Sequence, residues 1–350
     1  MKKTHRWFKG CSIAAAVLLG CAGLAYSGSK KGGGGGGGQR MEFSGRAVVV
    51  DATVLGTRTI IGDTGDLPAS GGALETSLLE INQPGLLTGN VVHGTTIGQG
   101  DRSRTEASVA DVNFTVGGHT ITAGILRSRA EAICGPNGAT TSGSSELVNL
   151  GIDGQTYTVG TGPNQTIVLP DGTTIIINEQ TSSSDGKYAA TTVNALHVIV
   201  PNPLGGDQPL AEVIIASSHA DIRCGSGNCQ GKDFVTGGGW ILTPSQARGT
   251  FGVGGGIKDR GFWGHLTYID HGINMKVKGT SVTNYLITGP TSRQIHGTAE
   301  INGVPGTYIV DVADNGEPGR ADTFFIKLSN GYTAGSTLPA GNIQLHRPCK

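Results

Sequence analysis

The chain has 350 residues, of which 60 are glycine, and its 26 Lys and Arg residues balance its 26 Asp and Glu residues. This length accommodates two ordinary domains, each with its own core. The balanced, scattered charge argues against a nucleic-acid-binding protein, which needs a concentrated basic face. The glycines follow no three-residue period, which excludes collagen. A composition rich in Gly, Thr and Val instead favours many short strands joined by tight turns.

The N-terminal segment predicts export. A basic stretch, MKKTHRWFK, precedes an apolar stretch at Ser12–Gly20 that is short for a membrane span. Two cleavage sites are compatible with this leader. Ala25–Ser27 offers the small residues of an ordinary signal-peptidase site, whereas Leu18–Cys21 resembles a bacterial lipobox in which Cys21 would be acylated. The glycine-rich residues 28–40 that follow are predicted to be a flexible spacer.

After residue 40 the pattern is alternating apolar and polar residues punctuated by Asp-Gly and Asn-Gly. These dipeptides favour the positive φ angles of two-residue hairpin turns, so they predict hairpins at Val148–Val159, Thr166–Gln180 and Thr298–Val312. Further strands are predicted within 45–55, 107–116, 119–134, 194–201 and 210–224, and in the second half around 238–244, 264–271, 275–287, 321–330 and 341–349. Residues 56–75 are predicted to be a polar connection. Regular spacing of this kind indicates an all-β fold.

The glycine clusters of the second half do not form a phosphate-binding loop. In Gly249–Asp259, Ile257 separates the last glycine from Lys258, and Asp259 stands where a hydroxyl residue is required. We therefore interpret these glycines, and those of TGGGW before Ile241, as sites of bulges, bends or close backbone approach within strands.

Beyond the leader there are four cysteines: Cys134, Cys224, Cys229 and Cys349. In an exported protein an even number suggests two disulfides, for which three connectivities are possible. Cys224 and Cys229 have the spacing C-x4-C, but no second short pair accompanies them, which argues against structural zinc.

One acidic turn could hold calcium. The stretch DNGEPGRAD contains Asp314, Glu317 and Asp322, whose carboxylates are the oxygen ligands that calcium prefers. The alternative interpretation is a plain turn whose backbone is set by Asn-Gly and Pro-Gly. No other cofactor is predicted. No Gly-x-Ser-x-Gly elbow is present, and the sequence predicts no catalytic residue and no enzyme.

Two blocks of the sequence resemble known bacterial domains. SRAEAIC, NALHVIV and AEVIIASSHADIRC resemble the choice-of-anchor P domain. DFVTGGGWI, GHLTYIDHG, ING, DNGEPGRADTFFI and AGNIQLH resemble the domain that commonly follows it. The resemblance covers nearly everything from residue 43 onward. It implies an exported surface protein without assigned enzymatic activity or catalytic residues. It also implies that each domain closes on itself, with Cys134 joined to Cys224 and Cys229 joined to Cys349.

Together these observations predict an all-β protein with two tandem β-sandwich-like domains. The predicted segments are a leader (1–27), a spacer (28–40), a choice-of-anchor P-like domain (41–224), a linker (225–232) and a second β domain (233–350). The chain ends at RPCK without a sorting signal, so the N-terminus is expected to be its anchor. The predicted location is the cell surface, as an outer-membrane-anchored lipoprotein, or else the periplasm or medium.

The predicted role is structural or adhesive, with a cell-surface or matrix partner, no nucleic acid and no membrane contact except through the lipid. The alternative is a secreted carbohydrate-binding or carbohydrate-active sandwich. That alternative predicts an exposed row of aromatic side chains over a groove, for which Trp240, Phe262, Trp263 and Tyr268 are the candidates.

Overall fold

The computed structural model describes residues 40–83, 86–206, 208–225, 232–258 and 261–347. Within these ranges every regular element is a β-strand, and the strands form three antiparallel sheets. The predicted all-β fold class is confirmed. A search of the same ranges finds no helix of the length and apolarity needed to cross a bilayer. The leader, Cys21 and most of the spacer lie outside the described residues.

The described residues contain 22 strands. They are β1 (Glu42–Val54), β2 (Thr57–Asp63), β3 (Gly72–Gln83), β4 (Leu87–Gln99), β5 (Arg102–Val116), β6 (His119–Gly135), β7 (Gly138–Val148), β8 (Leu150–Ile152), β9 (Gln155–Tyr157), β10 (Gln165–Val168), β11 (Thr174–Ser184), β12 (Tyr188–Val200), β13 (Ala211–Arg223), β14 (Phe234–Leu242), β15 (Arg248–Lys258), β16 (Gly261–Asp270), β17 (Met275–Ile287), β18 (Ser292–Ile301), β19 (Val304–Ala313), β20 (Thr323–Leu328), β21 (Thr333–Thr337) and β22 (Ala340–His346).

The first two sheets pack face to face as a sandwich. Sheet A has the order β10-β11-β12-β13-β1-β2, and sheet B has the order β3-β4-β5-β6-β8-β9, with β7 also paired to β6. Alternate residues of each strand point into the space between them, where side chains such as Val49, Leu126, Leu196 and Ile215 are fully buried. Burial of this apolar surface is the main force that holds sheet A on sheet B.

The third sheet is built from the C-terminal part of the chain. Sheet C runs β21-β20-β19-β18-β17-β16-β15-β14-β22 and curls into a half-barrel. Its concave side holds a separate core in which the rings of Phe251 and Phe324 stack with centroids 3.9 Å apart. Tyr268 and Tyr308 are also fully buried there. The predicted domain boundaries stay a prediction; sheets A and B use strands from 42–223, and sheet C uses strands from 234–346.

The predicted hairpins differ in their turns. Asp153-Gly154 joins β8 to β9 and Asn302-Gly303 joins β18 to β19, and all four residues have positive φ, as the two-residue turn requires. At Asp171-Gly172 the loop is wider. Leu169 donates its backbone N–H to the Thr173 carbonyl, which leaves Pro170, Asp171 and Gly172 as a three-residue loop. Pro170 has a fixed φ near −65° and cannot take a left-handed turn position.

Some strands lie where the sequence predicted none. The connection predicted at 56–75 contains β2, which pairs with β1 along the edge of sheet A. β3 and β4 were also outside the predicted strands. The apolar and polar residues of β4 do not alternate, because β4 is covered on both faces and most of its residues are buried.

Candidate functional site: a buried polar seam between sheets B and C

The outer face of sheet B carries a repeated charge pattern. β5 contains Arg-Ser-Arg-Thr-Glu at 102–106, and β6 contains Arg-Ser-Arg-Ala-Glu at 127–131. Because side chains alternate along a strand, both arginines and the glutamate of each motif point to the same face. Because the two strands are antiparallel, unlike charges face one another: Arg104 is opposite Glu131, and Glu106 is opposite Arg129.

These charged groups pair across the strands. Arg104 donates its Nε–H to the Glu131 carboxylate. Arg127 lies between two carboxylates, 3.5 Å from Glu106 and 3.2 Å from Glu146 of β7. All five side chains are at least four-fifths buried. Placing one unpaired charge in such an environment would cost several kcal/mol. These buried side chains are therefore stable only because positive and negative groups lie next to one another.

Sheet C covers this face and contributes partners of its own. Glu317, in the turn after β19, forms an ion pair with Arg129 and accepts a hydrogen bond from the Gln344 side chain at 3.2 Å. Gly341 of β22 donates its backbone N–H to Glu146 at 3.2 Å. We call this layer the seam, which consists of Arg102, Arg104, Glu106, Ser108, Arg127, Arg129, Glu131 and Glu146 on the side of sheet B and Gly238, Glu317, Asn342, Gln344 and His346 on the side of sheet C.

Glycines of β14 and β15 allow sheet C to approach this closely. A Cβ added to Gly238 would lie 2.9 Å from Ser108 Oγ, and one added to Gly252 would lie 3.2 Å from His93 Cβ. A Cβ on Gly254 would lie 3.0 Å from a Glu75 oxygen. The glycines that the sequence attributes to close backbone approach therefore include the ones that contact sheet B.

A chain of hydrogen bonds crosses the same interface beside the seam. The Glu75 carboxylate of β3 lies 2.9 Å from His265 Nδ1 on β16, and His265 Nε2 lies 2.9 Å from His93 Nδ1 on β4. Glu75 can only accept, so His265 Nδ1 carries the proton. In the contact between His265 Nε2 and His93 Nδ1, one nitrogen donates an N–H and the other accepts it. His93 is fully buried.

Burial shifts the pKa values of several groups here. Loss of solvent raises the pKa of the Glu106 carboxyl, and the nearby Arg127 and Arg129 offset this only in part. Burial, reinforced by the charge of His265, holds the pKa of His93 well below its usual value. Burial, with a smaller effect from the charge of Arg104, holds the pKa of His346 well below its usual value in the same way. Both imidazoles are therefore neutral at pH 7.

The structure shows one predicted disulfide. Cys134, at the end of β6, is bonded to Cys224, which follows β13, with their Cα atoms 5.6 Å apart. The bond joins sheet B to sheet A at one end of the sandwich. Cys229 and Cys349 lie outside the described residues, as does Cys21, so their pairing and lipidation stay predictions.

The three residues predicted as calcium ligands have other partners. Asp322 is buried and accepts backbone N–H groups from Asn315 at 2.8 Å and Ile343 at 2.7 Å, and burial raises its pKa to about 6. Asp314 accepts from the Leu345 N–H at 2.9 Å, and Glu317 belongs to the seam. Among the described residues no group of three or more His, Cys, Asp or Glu is arranged to hold a metal ion. Calcium binding stays a prediction to which this geometry adds no support.

The four aromatic candidates for a carbohydrate groove have different surroundings. Tyr268 is fully buried in the core of sheet C. Trp240 lies at the interface with sheet B, beneath the guanidinium of Arg248 at 5.3 Å. Trp263 contacts the ring of Phe234 at 5.4 Å, and Phe262 beside it is 43% exposed. They do not form one exposed row.

The seam was not predicted from the sequence. Its signal was present, because the predicted strand at 119–134 contains an Arg-x-Arg-x-Glu alternation and the same alternation at 102–106 directly precedes the strand predicted at 107–116. An alternation of this kind is also typical of a solvated surface, and only the cover provided by sheet C distinguishes the two. No protein-family model, curated protein or solved structure matches this chain significantly.

Proposed function

We propose that the protein is an exported bacterial surface protein, without enzymatic activity, that serves as a rigid structural or adhesive scaffold. The Cys134–Cys224 disulfide is the observation that supports export most directly. Disulfides persist in oxidising compartments such as the periplasm and cell surface, and are rare in the cytosol. The basic and apolar stretches of the leader and the resemblance to choice-of-anchor P proteins support the same location.

The seam supports the scaffold part of the proposal. Two contacts of buried charged groups cross from sheet B to sheet C: Arg129 pairs with Glu317, and Glu146 accepts the backbone N–H of Gly341. A displacement of sheet C would break both and leave buried charges less well satisfied. The disulfide joins sheet A to sheet B covalently at one end of the sandwich. A chain held at both interfaces keeps its exposed faces in a constant arrangement, which suits a protein that displays a surface.

The proposed anchor is Cys21, acylated after cleavage at the lipobox, with the glycine-rich spacer holding the folded part away from the membrane. Ordinary cleavage after Ser27 would instead release the protein into the periplasm or medium. The proposed partner is a component of the cell surface or matrix. We make no separate proposal for carbohydrate, because the four candidate aromatics do not share a surface.

Two experiments test export and anchoring. Alkylation of thiols in living cells should leave Cys134 and Cys224 unmodified until a reductant is added, whereas free thiols would contradict export. Metabolic labelling with a fatty acid should mark the wild-type protein but not a Cys21→Ser variant. If both proteins remain unlabelled and are recovered from the medium, the anchor is wrong and ordinary cleavage is right.

The scaffold role is tested with a strain that lacks the gene. We expect the strain to lose surface attachment or envelope integrity, and plasmid-borne wild-type protein to restore it. An Arg104→Met variant should restore less, because it removes the nearest of the three arginines that pair with the buried Glu131. Full restoration by a chain that lacks sheet C would contradict a role for the fixed arrangement.

A further inference from the structure

The most exposed large aliphatic side chains lie at one end of the protein. Among the described residues, six such side chains are more than half exposed: Leu55, Val168, Leu204, Ile273, Ile287 and Val304. Ile287, at the end of β17, lies at the opposite end of the strands from the other five. We call those five the apolar end: Leu55, Val168, Leu204, Ile273 and Val304. Single exposed aliphatic residues are ordinary, but their concentration at one end is a feature of interaction surfaces.

Three residues of the apolar end form a row along the end of sheet A. Val168 ends β10, Leu204 lies in the loop between β12 and β13, and Leu55 lies in the turn between β1 and β2. The register pairs Val54 of β1 with Ala211 of β13, which places this turn beside this loop. The same antiparallel order continues from β13 to β10, so Val168 lies at this end too. Six strands about 4.8 Å apart place the row within roughly 24 Å.

The two residues from sheet C lie at the same end. Ile273 is in the turn between β16 and β17, and Val304 begins β19. Asn302, two residues before Val304, donates its backbone N–H to the Lys276 carbonyl at 2.8 Å, which places the two turns side by side. The Lys276 side chain pairs with Glu80 near the end of β3 at 2.5 Å. These turns of sheet C therefore lie next to the end of sheet B.

Sheets A and B share this end, and the N-terminal spacer joins the opposite one. His119, at the start of β6, lies 3.1 Å from Asp171, in the loop after β10. β1 begins at Glu42, which is paired with Arg223 beside the disulfide, and runs for 13 residues before the turn at Leu55. At about 3.3 Å per residue, roughly 40 Å separates the two ends. A chain anchored through its spacer therefore carries the apolar end on its far side.

Leu55 occupies a turn position that rarely accommodates leucine. Its side chain is 75% exposed and its φ is 50°, in the left-handed region. The corresponding position in two other two-residue turns is occupied by Asp153 and by Asn302, which tolerate this backbone. Because the leucine side chain is not buried, packing within the fold does not explain its presence. This indicates that Leu55 contacts something outside the folded chain.

Leu204 lies at the tip of an ordered turn. Its backbone N–H is donated to Asn202 Oδ1 at 3.1 Å, and Gly205 donates its N–H to the Asn202 carbonyl at 3.1 Å. Pro203 restricts the backbone just before it. The Leu204 side chain is 95% exposed, more than any other large hydrophobic residue that the structure describes. The loop thus presents this leucine to a partner.

The shape and charge of the apolar end fit a lipid bilayer. Its side chains protrude from separate turns, so a rigid protein partner would need a separate pocket for each, whereas fluid acyl chains close around any protrusion. Basic side chains nearby are paired with carboxylates, Arg58 with Asp51 and Lys276 with Glu80. Anionic lipids attract concentrated basic charge. The locally balanced charge therefore favours zwitterionic lipids.

We propose that the apolar end docks into a zwitterionic phospholipid bilayer, with Leu55 and Leu204 inserted among the acyl chains. This rests on the adhesive role proposed above, and it names a bilayer as the surface to which the protein adheres. Because the spacer joins the opposite end, this bilayer is a different one from that which carries the anchor. The docking adds a membrane contact to the lipid anchor, which was the single contact predicted from the sequence.

Flotation with phosphatidylcholine vesicles tests the proposal. The parent protein is the full exported chain with Cys21→Ser, so that no acyl group contributes. We expect the parent to bind, and Leu55→Asn/Leu204→Ser to bind at least about tenfold more weakly, since two leucines no longer enter the bilayer. Asparagine suits the positive φ at residue 55, so this variant should keep its fold, which circular dichroism checks.

Ile287→Ser is the matched control, because Ile287 is as exposed as Val304 but lies at the opposite end. We expect its binding to stay within about twofold of the parent. No binding by the parent, or equal binding by the parent and the double variant, would overturn the proposal. Binding that requires anionic lipid and is lost at high salt would also overturn it, because charge would then be responsible.

A second copy of this chain is the competing occupant. Sedimentation of the parent protein tests it: a dimer that is lost in Leu55→Asn/Leu204→Ser, without vesicle binding, would overturn the bilayer proposal in favour of self-association. A monomeric parent that binds vesicles supports the bilayer. Vesicle binding is measured on purified protein, so its failure would leave the thiol and labelling tests of export unaffected, and failure of those tests would not alter the vesicle result.

Discussion

Gly238 of sheet C lies directly against Ser108 of sheet B, so closely that a Cβ on the glycine would stand 2.9 Å from the serine hydroxyl. The contact shows that glycine is needed at this position of β14 because sheet B packs directly against it. We expect a Gly238→Val variant to force the sheets apart and to lower the free energy of unfolding by about 1–3 kcal/mol or more, the usual cost of overpacking.

The matched control for that variant is Gly162→Val. Nothing lies within 4 Å of a Cβ built there, and its φ is not in the left-handed region. We expect the free energy of unfolding of this variant, measured in urea, to stay within about 0.5 kcal/mol of the wild-type value. Equal losses for the two variants would show that valine itself, rather than the close approach of the sheets, is responsible.

A second prediction concerns the Arg104–Glu131 pair. Glu131→Met leaves Arg104 buried without its partner and should cost about 3–5 kcal/mol, whereas Arg104→Met/Glu131→Met removes both charges and should cost less. Arg58→Met serves as the control, because Arg58 pairs with Asp51 at the surface and its loss should change little. Chemical denaturation of the wild type and these three variants measures the differences in the free energy of unfolding. A double variant no more stable than Glu131→Met would contradict the pairing.

A third prediction concerns the disulfide. The chain between Cys134 and Cys224 spans 90 residues, and closing so long a loop restricts the unfolded chain strongly. Cys134→Ser/Cys224→Ser should therefore lower the free energy of unfolding by about 2–5 kcal/mol. Wild-type protein treated with a reductant should have a free energy of unfolding close to that of the variant. If the reduced wild type stays as stable as the oxidised protein, the bond does not support the sandwich.

A fourth prediction concerns pH and His197 on the outer face of sheet A. Its Nδ1 lies 2.9 Å from Glu179 and its Nε2 lies 3.0 Å from Glu212. Burial lowers the pKa of His197, but the two carboxylates outweigh it and leave the pKa above its usual value. A raised pKa in the folded state means that protonated His197 stabilises the fold below the unfolded pKa of about 6.5, and that this contribution is lost as pH rises through the folded value.

We therefore expect the stability difference between wild type and His197→Gln to be largest below about pH 6.5 and to shrink as the pH rises above that value. Comparison with the variant separates His197 from His93 and His346, whose lowered pKa values give the opposite trend. Urea unfolding at a series of pH values measures the difference. A difference that grows with pH would show that His197 is held neutral instead.

The parts of this fold that were predictable depend on local chemistry. Asp153-Gly154 and Asn302-Gly303 determine their own turns, because few other residues adopt positive φ at both positions. The strand β4 was not predicted, because it is buried on both sides and its sequence lacks alternation. The seam was missed for a related reason. Arg104 and Glu106 have the pattern of a solvated face, and the strands of sheet C that bury them begin only at Phe234.

The proposed function requires this chain to be displayed outside the cell. Living bacteria can be treated with a membrane-impermeant amine-reactive biotin reagent. The exposed targets are Lys187, in the loop between β11 and β12, and Lys327, on β20. We expect mass spectrometry to find both lysines labelled on intact cells while a cytosolic protein remains unlabelled. Labelling only after the cells are broken open, together with reduced Cys134 and Cys224, would contradict it.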